Sequence, residues 1–121
     1  MKLSLISSQR IRKRSVFEAI SASGKKIRGK VITLLFTMSC DNEKAPEKPC
    51  FAVKISRKIS LRANVRNLWK RRIRESFRRN QEQLRAGYYL FWANGPQKKV
   101  PPYHEIEADL LNNAARAGAK K

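Results

Sequence analysis

The chain of 121 residues has one histidine, two cysteines and nine acidic residues, and each scarcity removes a class of chemistry. With His104 alone, no site built on two histidines can hold a metal; a surface or capping role beside Tyr103 and Glu105 is the alternative to a catalytic one. Cys40 and Cys50 are too few for a disulfide framework and match no zinc spacing. They read as two thiols near strand ends, the alternative being a bridge across the 41–49 loop that a reducing cytosol disfavours. The five glycines are isolated, and no Gly-x-x-x-x-Gly-Lys loop cradles a phosphate. Long apolar runs are missing too: the longest, 31–38, is interrupted by Thr33 and falls short of the roughly 20 residues a spanning helix needs. The first six residues are too short an apolar stretch for a signal peptide, so the reading is a cytoplasmic protein with no membrane partner. The carboxylates Glu105, Glu107 and Asp109 alternate, a spacing that does not bring all three to one helix face. The expectation is therefore no catalytic side chain and no metal ligand in the protein itself.

What the sequence has in excess is positive charge. Lysine and arginine number 28, for a formal net charge of +19, about one uncompensated charge for every six residues. It is unevenly spread: residues 1–39 carry +8 (nine basic, one acidic) and residues 54–79 carry +10 (eleven basic, one acidic). Between them, 40–53 is slightly acidic at −1, and 80–121 holds only +2. Such a field concentrates polyanions, of which nucleic acid is the commonest, and its contacts should be strongly salt-dependent because each neutralised phosphate releases counterion. A hydrophobic fraction of 41% with ten aromatic residues belongs to a folded chain, and the length suits one domain over 1–121, with a basic arm at about 1–14 and a tail at about 118–121.

Ser15-Val16-Phe17-Glu18 fits a capping box, which predicts a short helix from Ser15 to about Ser23 with Gly24 as a left-handed cap. The β-branched run 31–38 predicts a buried strand, and the prolines of 41–49 a surface loop. Phe51, Val53 and Ile55 alternate with Ala52, Lys54 and Ser56, the period of a strand with one buried face and one small or basic face. From about 61 to 84 the period becomes helical. At about 100° per residue, Val65, Trp69, Ile73, Ser76, Phe77 and Leu84 fall on one arc, while Asn67, Lys70, Arg71, Arg74 and Arg78 share a neighbouring one with Arg66 at its border. Residues 88–93 predict a strand apolar on both faces, hence central, followed by a turn at Asn94-Gly95-Pro96. A last helix follows Pro101-Pro102, with Glu105, Glu107 and Asp109 near its positive end, Ile106, Leu110 and Ala114 on its inner side, and Gly118 at its termination.

The segment Ser56-Arg57-Lys58-Ile59, followed by Arg66-Asn67-x-x-Lys70-Arg71-x-x-Arg74-Glu75, resembles the arginine- and asparagine-rich signature of the bacterial ribonuclease P protein subunit. Phe17, Gly24, Gly87-Tyr88 and Tyr103-x-Glu105-Ile106 extend the similarity from about Arg10 to Leu111. The resemblance implies a two-layer α+β sandwich of order αβββαβα, ribosomal-protein-like, with a small mixed sheet and a left-handed βαβ crossover. It implies a role as the protein partner, one per RNA, of a large catalytic RNA that removes the 5′ leader of precursor tRNA by hydrolysis. In that pairing the Mg²⁺ is bound by the RNA component. By the same carry-over, Arg57, Lys58, Arg62, Arg66, Asn67, Lys70, Arg71 and Arg74 would contact the catalytic RNA. Independently of it, a rigid helix presents guanidinium forks to phosphate oxygens at one-turn intervals.

The implied leader contacts are Phe17, Lys54 and Phe36, with core packing the alternative for Phe17. Two positions depart from the pattern: Ser21 stands where a second helix aromatic is expected, and Leu35 where a strand aromatic is, Phe36 being one residue off. The competing reading of the whole chain is a ribosomal or ribosome-assembly RNA-binding protein of similar basic α+β class.

Overall fold

In the computed structural model of the chain, residues 9–11, 13–38, 46–95 and 99–121 are described. Cys40, most of the basic arm and the Pro96 end of the expected turn lie outside them. Helix α1 (Arg14–Ser23) is followed by strands β1 (Lys25–Arg28), β2 (Ile32–Thr37) and β3 (Pro49–Lys54). Helix α2 (Ala63–Asn80) continues into a 3-10 turn at Gln81–Gln83, and β4 (Gly87–Ala93) and α3 (Tyr103–Arg116) complete the order αβββαβα.

Helix α1 ends at Ser23 as expected, but its start and both of its caps differ from the sequence expectation. Lys13 is the N-cap and no side chain caps the helix, while Ser15 lies inside it. Glu18 instead accepts from Arg14 Nε one turn back at 3.1 Å, an i,i+4 charge pair in place of the capping box. Gly24 is extended (φ −71°, ψ 150°), not left-handed. What requires glycine there is proximity, since a Cβ would fall 2.4 Å from the Ile20 carbonyl oxygen to which the Gly24 N–H donates.

The sheet order is β1-β2-β4-β3, so the strand apolar on both faces is central and β3 is an edge. Strands β1, β2 and β4 pair antiparallel in turn, whereas β3 and β4, joined through α2, run parallel. Because side chains alternate along a strand, the sheet has two covered faces. On one, Ile32, Leu34, Phe36, Phe51, Tyr89 and Phe91 meet α2 and α3, and Phe77 of α2 sits among rings with centroids 4.9 Å (Phe51), 5.5 Å (Tyr89) and 5.9 Å (Phe91) away. On the other, Leu35, Cys50, Ala52, Tyr88 and Leu90 meet Val16 and Ile20 of α1 and Ile11. The second face of β3 is thus apolar up to Ala52 and turns basic only at Lys54, since α1 covers its first half.

Trp69, Ile73, Ser76 and Phe77 are buried as the periodicity of α2 predicts, and Leu84 is buried just beyond the helix. Asp109 corrects another expectation. It is buried in the middle of α3, and its carboxylate accepts the backbone N–H groups of Lys30, Val31 and Ile32 at 2.9–3.0 Å. It therefore holds the β1–β2 connection and does not serve the α3 dipole. The C-terminal tail is tied down: Gly118 takes φ 76°, Arg85 N–H donates to the Ala119 carbonyl, and Lys121 N–H donates to that of Gln83.

Candidate nucleic-acid interface

The cations of α2 divide by what they touch. Arg66 donates to the Ser60 carbonyl (2.9 Å) and braces the preceding loop; Arg72 donates to the Pro101 carbonyl (2.6 Å) and ties α2 to the start of α3. Arg78 pairs with Glu75, and its hydrogen bond holds the Glu75 carboxyl below the usual carboxylate range. Arg79 lies over the Tyr103 ring at 5.6 Å. Lys70, Arg71 and Arg74 are exposed and make no hydrogen bond or ion pair among the described residues. With exposed Asn67 they form one wall of a groove of about 720 Å³ whose other side is Arg10, Phe17 and the β3 edge at Val53. Arg57, Lys58 and Arg62 are exposed on the loop that leads into the helix. The eight residues that the sequence assigns to RNA binding thus occupy one helix and its approach, with Arg66 partly engaged by its own chain.

The groove continues past Phe17. Phe17 is half-buried between the α2 side and a second depression lined by Arg14, Ser21 and Lys54, and Lys54 Nζ stands 5.2 Å from its ring centroid. Lys54 and Ser21 in turn border a third depression, where Trp92 and Lys26 face each other across 5.6 Å. Phe36 does not belong to this surface. It is buried on the opposite face of the sheet with its ring 4.8 Å from that of Tyr89, because the alternation of β2 sends Leu35, and not Phe36, toward α1. Sequence reading missed Trp92, Lys26 and Arg10. The signal for Trp92 was the period-2 placement of 88, 90 and 92 on one face, with the largest ring at the end where helix cover stops.

A known family model, ribonuclease P, matches residues 5–118. The chain belongs to the ribonuclease P protein family. Among individual relatives, the ribonuclease P protein component of Clostridium kluyveri is 30% identical over 93% of this chain and 96% of its own length. That of Microcystis aeruginosa is 35% identical, the match spanning 65% of this chain and 65% of that protein. In fold, the chain matches an RNase P protein from Staphylococcus aureus with a TM-score of 0.78 at 22% identity, over 93% of this chain and 90% of that one. Membership in the ribonuclease P family favours the tRNA-processing reading over the ribosomal one.

The described acidic side chains of this ribonuclease P family member include several engaged in structural contacts, and no three of His, Cys, Asp or Glu among the described residues gather into a donor set that fits a metal. Glu107 illustrates the structural use. Its carboxylate accepts from Tyr103 Oη (2.7 Å) and Asn80 Nδ2 (2.9 Å), which hold it below the usual range, while burial and that same tyrosine bond push the Tyr103 hydroxyl up to about 12. His104 is exposed on the outer side of α3, and Cys50 is buried, its thiol pushed up by desolvation. No helix among the described residues is long and apolar enough to cross a membrane.

Proposed function

We propose that the chain, as one RNA-binding domain over 1–121, is the protein subunit of ribonuclease P, one copy to each catalytic RNA, working in the cytoplasm. The α2 face of Asn67, Lys70, Arg71 and Arg74, with Arg57, Lys58, Arg62 and Arg66 at its approach, binds the catalytic RNA. The groove from Arg10 past Phe17 to Lys54 holds the single-stranded 5′ leader of precursor tRNA. There Phe17 offers a face on which a base of any sequence stacks, and Lys54 meets the adjoining phosphates. The Mg²⁺ held by the RNA supplies the chemistry of phosphodiester hydrolysis; the chain's own contribution is to bind, orient and neutralise phosphate charge.

The observation that carries this reading is a row of exposed cations on α2 with no hydrogen-bond or ion-pair partner among the described residues, in a chain that a ribonuclease P model matches over 5–118. Three solvated arginines and lysines side by side repel one another, an arrangement that a polyanion relieves. The test is leader cleavage at low Mg²⁺ by the cognate catalytic RNA, with and without the chain. Stimulation over RNA alone is expected; none would overturn the reading, and stoichiometric recovery with ribosomes would revive the ribosomal alternative.

A further inference from the structure

Strand register sets four side chains in a row across the α1 side of the sheet: Arg28 on β1, Thr33 on β2, Trp92 on β4 and Lys54 on β3. In the next row, Leu35, Leu90 and Ala52 are buried under α1. That helix ends at Ser23, and Trp92 lies past its cover, half-buried, with its indole against the edge of the same apolar cluster. Ser21 and Gly24 put little bulk opposite the ring, leaving a depression of about 430 Å³. The floor is Leu35 and Leu90, and lysines stand at two sides: Lys26, 5.6 Å from the indole centroid, and Lys54, one strand away and also over Phe17. A planar apolar surface between cations complements a planar base between phosphates.

We propose that Trp92 is a second stacking platform for single-stranded RNA, one station beyond Phe17, with Lys54 meeting the phosphates between the two bases and Lys26 those beyond. The occupant is a leader nucleotide, because the depression joins the Phe17 side of the groove through Ser21 and Lys54 and shares no lining residue with the cationic face of α2. The inference rests on the subunit reading above and extends it to a specificity-determining residue. The two-ring indole overlaps a purine more fully than a pyrimidine, so the station favours adenine or guanine.

The test uses the reconstituted holoenzyme and precursor tRNAs whose leaders lengthen one nucleotide at a time. Trp92→Leu, which keeps an apolar side chain on the cluster, is expected to raise KM about tenfold for long leaders, the scale of one base–aromatic stack, with kcat and the shortest-leader substrate unchanged. Trp92→Phe should recover most of that loss. Separately, oligoadenylate added to the full chain should quench Trp92 fluorescence at severalfold lower concentration than oligouridylate, the other indole, Trp69, being 1% exposed. An equal loss at every leader length would assign the ring to packing or to the catalytic RNA and overturn the proposal, as would no loss or no quenching. Absence of stimulation by the wild-type chain would instead sink the subunit reading, with quenching still judging Trp92 by itself.

Discussion

The cationic face of α2 and the groove on the α1 side of the sheet are both basic surfaces, yet they are made differently. The α2 face is one helix, so Asn67, Lys70, Arg71 and Arg74 share a side by periodicity alone. Beyond the wall that α2 lends it, the groove is assembled from Arg10, Phe17 and Ser21 near the N-terminus, Lys26 on β1, Lys54 on β3 and Trp92 on β4. The first surface is a charged rail suited to regular phosphates; the second alternates rings and cations, suited to an unpaired strand whose bases are exposed. On the proposed function, the first serves a partner RNA and the second a substrate strand.

The largest expected effect contrasts the two sides of α2 itself. Trp69→Ala should lower stability by about 3–5 kcal/mol, as truncation of a buried indole does, in urea unfolding. Exposed Lys70→Ala should stay within about 0.5 kcal/mol of wild type. Comparable losses would mean that the cationic face is structural. Next, Phe17→Ala should weaken holoenzyme binding of long-leader substrate by about 1–3 kcal/mol and leave affinity for the catalytic RNA alone unchanged. Because Phe17 also packs against the α1 cluster, Phe17→Leu separates stacking from packing. The reciprocal pair, Arg71→Ala and Arg74→Ala, should flatten the salt dependence of catalytic-RNA affinity by about 0.7–0.9 units for each phosphate that is no longer neutralised. A titration in which the slope is unchanged would place that face in solvent.

The smallest effect concerns the joint that holds the end of α2 to α3. Tyr103 and Asn80 keep Glu107 below the usual carboxylate range, so the folded chain binds that proton less tightly than the unfolded one. Its contribution to stability is full above about pH 4.3 and is lost as pH falls through the lower folded value. Tyr103 behaves in reverse, contributing below its ordinary value near 10 and losing that contribution as pH rises through about 12. Thermal melts of Glu107→Gln against wild type should accordingly converge in acid.

Much of the fold was legible because its signals are local. The arc of Trp69, Ile73 and Phe77, the two-sided apolarity of 88–93 and the glycine at 118 each follow from neighbours a few residues apart. Errors arose where a residue's partner is distant or competes with a local motif. Glu18 had Arg14 to pair with, and Asp109 met the amides of Lys30 to Ile32, nearly eighty residues away in the chain. Phe36 faces Tyr89 because the strand's register, which sequence spacing does not specify to one residue, turned Leu35 toward α1 instead.

By itself the sequence determined that the chain is basic, foldable and carries a patterned cationic helix, since charge and periodicity are properties of nearby residues. Only the tertiary structure decided which cations find no partner among the described residues and that Phe17, Lys54, Lys26 and Trp92 border adjoining depressions that share Ser21 and Lys54. Strand pairing and helix cover bring those four together across up to 75 residues of chain, and no local periodicity encodes that juxtaposition.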